Sequence, residues 1–73
     1  MNAAQRYKVR IDYEDKDGFL HRSWNAGKFA KLPRLYEYID AARYKLNTKG
    51  FRVIAYEIWD TYRNMCIEAK TFS

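Results

Sequence analysis

The sequence predicts an α+β fold: a four-stranded antiparallel sheet with one helix packed on one face, in the order β-β-α-β-β. Three observations predict it. Residues 7–13, YKVRIDY, alternate apolar and polar side chains, which is the period of a half-buried strand. Leu35, Ile39, Ala42 and Leu46 recur at spacings of 4, 3 and 4, the period of an amphipathic helix. Residues 51–60 are rich in aromatic and β-branched types, which suit a strand.

In the first strand Tyr7, Val9, Ile11 and Tyr13 share one side, and Lys8, Arg10 and Asp12 the other. EDKDG then reads as a turn, with Gly18 supplying a positive φ. The return strand runs near Phe19 to Ala26, and the loop length sets its parity. An even-numbered loop places Leu20, Trp24 and Ala26 on the apolar side of the first strand, with Arg22 at a rim. A three-residue loop puts His21, Ser23 and Asn25 there instead. A one-residue slip flips every side chain, so hydrophobic burial favours the even loop.

Pro33 suits the first turn of a helix, where a missing N–H costs little. The helix is expected from Pro33 to Thr48, with Tyr38 flanking its apolar stripe. Gly50 after Lys49 is a natural left-handed cap. In the strand that follows, Ile54, Tyr56 and Ile58 share one side; Phe51, Val53, Ala55, Glu57 and Trp59 share the other. Burying Glu57 unpaired is costly, so Ile54, Tyr56 and Ile58 are expected under the helix, with Phe51 and Trp59 on the open side. A turn near residues 61–64 leads to a last strand, MCIEAKTF. One helix cannot cover both faces of the sheet.

Composition bounds the function. Residues 1–73 suffice for one small domain. Cys66 is the lone cysteine and cannot form an intramolecular disulfide. The opening MNAAQRYKV lacks the apolar stretch of a signal peptide, and the longest apolar run is Val53 to Tyr56. A cytoplasmic protein with no membrane association is expected. The net charge is +5, and the surplus lies in residues 18–52, which carry eight basic and two acidic side chains. A local basic surplus points to phosphate or to an acidic protein surface.

Catalytic and metal chemistry is poorly supplied. His21 and Cys66 are the only residues of their types, too few for a structural zinc site. Asp15, Asp17 and Gly18 fit part of a calcium loop, but Tyr13 and Trp24 stand where its first and last ligands belong. The glycines are isolated, so no phosphate-cradling loop exists. No enzyme, metal or cofactor is expected.

Two surfaces carry a binding signal. On the helix, Arg34, Tyr38, Ala41 and Lys45 form a row at about 100° per residue, and Lys31 and Lys49 extend it. The second surface is the open side of the sheet with Phe51 and Trp59. KGFRVIAY, residues 49–56, resembles the octapeptide of single-stranded RNA readers. Lys49, Gly50, Phe51, Ile54 and Tyr56 fit that pattern, whereas Arg52 and Val53 depart from it. That family's βαββαβ architecture has two helices and this chain offers one, so the family is not assigned.

The expected function is a small non-enzymatic protein that occupies the surface of a protein or ribonucleoprotein partner. Compact inhibitors of phages and mobile elements, anti-CRISPR proteins among them, are of this kind. The partner surface is expected to be acidic, and the contacts are expected from Lys31, Arg34, Tyr38, Lys45, Lys49, Phe51, Arg52 and Trp59. The alternatives are direct nucleic-acid binding through the same residues, and a homodimer that pairs open sheet faces or the free edge of the last strand.

Overall fold

A computed structural model of the chain describes residues 5–24 and 28–72. The elements are β1 (Tyr7–Glu14), β2 (Leu20–Trp24), α1 (Leu32–Thr48), β3 (Arg52–Asp60) and β4 (Met65–Thr71). The four strands form one antiparallel sheet in the order β2-β1-β3-β4. This is the expected α+β class in the expected order β-β-α-β-β. The end of the expected return strand, Ala26 included, lies outside the described residues.

Alternation in β1 divides the sheet into two sides. Val9 and Ile11 are buried in one cluster with Leu35 and Ile39 of α1 and with Val53, Tyr56 and Ile58 of β3. We call this the core side. Lys8, Arg10 and Asp12 belong to the opposite side. The backbone of α1 comes close to β1 and β3 and not to β2. All five residues of β2 are exposed.

Both ends of α1 follow from local chemistry. Pro33 occupies the first turn, where its fixed φ is already helical. At the other end Gly50 has φ +86°. Its N–H donates to the Asn47 carbonyl at 3.0 Å, and the Phe51 N–H donates to the Leu46 carbonyl at 2.9 Å. These two bonds make the Schellman cap that a left-handed glycine allows.

Two expectations about side chains are corrected. The hairpin between β1 and β2 uses the three-residue loop. The Gly18 N–H donates to the Asp15 carbonyl, and the Asp15 N–H donates to the Phe19 carbonyl, both at 3.0 Å. With Gly18 at φ +86°, this is a type I turn closed by a glycine bulge. The Asp15 carboxylate fixes it further by accepting the N–H groups of Asp17 and Phe19. Tyr13 therefore faces His21, and Ile11 faces Ser23. Leu20, Arg22 and Trp24 fall on the opposite side, away from the expected apolar position. Turn chemistry here outweighs the burial of two apolar side chains.

The second correction is a bulge in β3. Asp12 pairs with Ala55, but Tyr13 pairs with Val53, so Ile54 is the extra residue. A bulge reverses the alternation beyond it. Val53 is buried in the core and Ile54 is not part of that cluster. Phe51, two residues before Val53, joins the core side and stacks on Tyr13.

Candidate functional site

A cleft opens on the core side where α1 stops short of β2. Its volume is about 220 Å³. Ile11 and Tyr13 of β1 and Ser23 of β2 line one wall. The other wall is the flank of α1, with Tyr38, Ala42, Lys45, Leu46 and Lys49. The helical period puts Tyr38, Lys45 and Lys49 within one strip of that flank. The lining includes two lysines and no acidic residue. Among the described residues neither lysine makes an ion pair. The surface can therefore hold a negatively charged group against an apolar, aromatic floor.

Aromatic rings continue the floor of the cleft. Tyr13 is stacked between His21, at a centroid distance of 5.1 Å, and Phe51, at 5.6 Å. His21 Nε2 lies 2.8 Å from Asp15 Oδ2. The hydrogen bond from His21 holds the Asp15 carboxyl below the usual carboxylate range. The histidine is thus tied into the hairpin loop. A neighbouring hollow is lined by Asp15, Lys16, Asp17, Lys49 and Phe51, so Lys49 stands between the two depressions. Among the described residues no group of three or more His, Cys, Asp or Glu is placed to hold a metal ion.

On the far flank of α1 the gap to β4 is filled. The Tyr36 and Tyr56 hydroxyls both donate to the Glu68 carboxylate. Burial, reinforced by Glu68, pushes the Tyr56 hydroxyl up to about 12. The Arg43 guanidinium lies over the Phe72 ring at 3.8 Å. These contacts close the β4 flank, whereas the β2 flank keeps its cleft.

The opposite side of the sheet carries a different cluster. Trp24 meets Trp59 edge to face at 6.4 Å. Lys8 Nζ sits 4.4 Å from the Trp24 ring centroid. Arg10 is held by Asp12 at 2.9 Å and by Glu57 at 3.2 Å. Trp59 Nε1 donates to Glu57 Oε1 at 3.0 Å. The Asp12 hydrogen bond raises the Arg10 guanidinium above its ordinary value. Most polar groups of this cluster already have partners within the chain.

The structure divides the sequence-derived site residues. Tyr38, Lys45 and Lys49 come together in the cleft, and Phe51 lies beside it rather than on the open side. Lys31 occupies the N-cap position of α1 with no capping hydrogen bond from its side chain, and Arg34 is exposed one turn before Tyr38. Arg52 points to Glu14, with Nη2 2.8 Å from its carboxylate. Trp59 is on the other side of the sheet and shares no surface with the lysines. Tyr13, Ser23 and His21 were not among the expected contacts. The DKDG loop was the signal that would have placed His21 and Ser23 on the cleft side.

No protein-family model, no curated protein and no solved structure matches the chain.

Proposed function

We propose that this chain is a small non-enzymatic binding protein that occupies an acidic surface of a protein partner. In this reading α1 closes one face of the sheet over β1 and β3, and the recess left beside β2 is the working surface. The observation that carries it is the lining of the cleft. Lys45 and Lys49 line the cleft over an apolar floor of Ile11 and Tyr13 with no acidic residue in that lining, and Asp15 and Asp17 share only the neighbouring hollow with Lys49. Tyr38 supplies an amphipathic ring of the kind that anchors interfaces.

Folding uses the charge only modestly: Lys45 lies in the last turn of α1 and Lys49 at its C-cap, where a cation contributes about 0.3–1 kcal/mol through the helix dipole. A lysine pair beside an apolar recess also adds charge complementarity and speeds encounter with an acidic partner.

The test is capture of a stoichiometric partner from nuclease-treated lysate, with wild type beside Lys45→Glu/Lys49→Glu. Capture that survives nuclease and is lost in the double variant supports the reading. Capture indifferent to both lysines removes it. Titration with single- and double-stranded DNA and RNA separates the nucleic-acid alternative. Two phosphate contacts give a log–log salt slope of about −2, whereas an aromatic-centred protein interface responds far less.

A further inference from the structure

The recess and the free edge of β2 form one continuous feature. Among the described residues β2 has β1 on one edge and no strand on the other. The hairpin fixes which main-chain groups that edge presents. The Asp15 N–H bonds the Phe19 carbonyl, so Asp15 and Phe19 form a hydrogen-bonded pair. Such pairs alternate along an antiparallel ladder. Tyr13 with His21 and Ile11 with Ser23 are then the bonded pairs. The N–H and C=O groups of Leu20, Arg22 and Trp24 therefore point outward.

We propose that an extended, acidic segment of a partner protein adds to β2 as a fifth strand, with alternate side chains lying in the cleft. This rests on the reading of the cleft given above. Strand addition takes its affinity from main-chain bonds and its specificity from alternate side chains. The side chains facing the core side would pass beside His21 and Ser23 toward Lys45 and Lys49, which selects carboxylates. Those facing the other way would meet Leu20 and Trp24, which are 50% and 44% exposed, and this selects apolar groups.

Charge also argues against a second copy of this chain as the occupant. β2 reads LHRSW, with Arg22 at its centre and no acidic residue. Antiparallel self-pairing about that centre sets Arg22 against Arg22, and like charges directly opposite are destabilising. Beside β4 the core side is closed, because Tyr36, Glu68, Arg43 and Phe72 fill the gap to α1, and the hollow on the other side of the sheet carries Asp12 and Glu57, which repel an acidic segment.

The probe is a synthetic peptide alternating Glu and Val over about eight residues, titrated into isotope-labelled protein. Saturable binding should slow amide exchange at Leu20, Arg22 and Trp24 and leave His21 and Ser23 unchanged. Arg22→Pro removes an outward N–H that β1 does not use, and an edge strand tolerates such a proline. It should weaken the peptide at least about tenfold, while Arg22→Ala, which loses the side chain and keeps the outward N–H, weakens it less. If Arg22→Pro disturbs the Trp59 resonances, peptides N-methylated at alternate residues take its place. One phase of methylation should abolish binding and the other should not.

Equal binding of the two methylated phases, or no saturable binding of the Glu–Val peptide, overturns the inference. So does a dimer in sedimentation that Arg22→Pro dissociates. Lysate capture that needs Lys45 and Lys49 but ignores Arg22→Pro keeps the cleft reading and removes strand addition. Peptide binding that obeys the methylation phase but ignores both lysines removes the cleft reading and the acidic selectivity that rests on it, and leaves only main-chain pairing at β2.

Discussion

Arg6 grips Asp60 with both ends of its guanidinium fork. Nε lies 2.8 Å from Oδ1 and Nη2 lies 2.6 Å from Oδ2. The pair joins the start of β1 to the end of β3, 54 residues away. Asp60 is only 2% exposed, and its Oδ1 also accepts the N–H groups of Tyr62 and Arg63. The Arg6 hydrogen bond, with these N–H groups, lowers the Asp60 carboxyl from 3.8 to about 2.

A lowered carboxyl stabilises the fold above its unfolded value and ceases to do so as it is protonated. The contribution of Asp60 is therefore complete above about pH 4 and fades as the pH falls toward about 2. Asp60→Asn should lower the melting temperature at pH 7 and flatten the loss of stability between those two values. Thermal melts of both proteins across that window check it. A variant whose acid limb matches wild type would show that Asp60 is not the titrating group.

Leu35 is fully buried and lies in one cluster with Val9 and Ile58, which are also fully buried. The core is thin, so each such side chain is a large share of it. Leu35→Ala removes buried methyl groups and leaves a cavity, which costs about 2–5 kcal/mol. Urea unfolding should show a midpoint shift of that size, and for so small a domain it can leave the variant partly unfolded at 37 °C. A cost below about 1 kcal/mol would mean that α1 settles onto the sheet to refill the space.

The extent to which sequence foretold structure depends on which rule ruled locally. Where one periodicity acted alone, the residues were legible. The side chains of β1 sort as their alternation says, and Leu35 and Ile39 are buried as their spacing says. Where two rules competed, apolar burial was overvalued. Leu20 and Trp24 look like core residues, yet the Asp15 turn and Gly18 set the opposite parity. The Ile54 bulge has no comparable local mark, and it moves both Val53 and Phe51 to the core side. The candidate site suffered most from these two events. Its lysines were found from the helix period, but its floor and the separation of Trp59 from it depend on parity.

Gly18 and Gly50 both adopt φ +86°, where an L side chain costs about 1–2 kcal/mol. Space differs between them. A Cβ at Gly18 meets nothing within 4 Å, whereas one at Gly50 comes to 3.0 Å of Lys16 Cε. That carbon is near the end of a flexible side chain and can swing away. Gly18→Ala and Gly50→Ala should each therefore cost about 1–2 kcal/mol, with little excess at Gly50. Denaturant midpoints of the two variants check this. A much larger loss at Gly50 would mean that Lys16 is held in place.

The basic side chains of this chain fall into two populations, and substitution should separate them. Arg10 is bound by Asp12 and Glu57, and Asp12 is buried at 6% exposure. Arg10→Ala strands that carboxylate, and an unsatisfied charged group of this kind costs about 1–3 kcal/mol or somewhat more. Lys45 and Lys49 are exposed and make no ion pair among the described residues. Lys45→Glu and Lys49→Glu put an acid at the C-terminal end of α1 and should each cost no more than about 1 kcal/mol through the helix dipole. The same two reversals should abolish capture of an acidic partner. Urea unfolding and partner capture, measured on the same three variants, give the comparison. If the lysine reversals destabilise the fold as much as Arg10→Ala, their charge serves folding, and the case for the cleft as a binding surface fails.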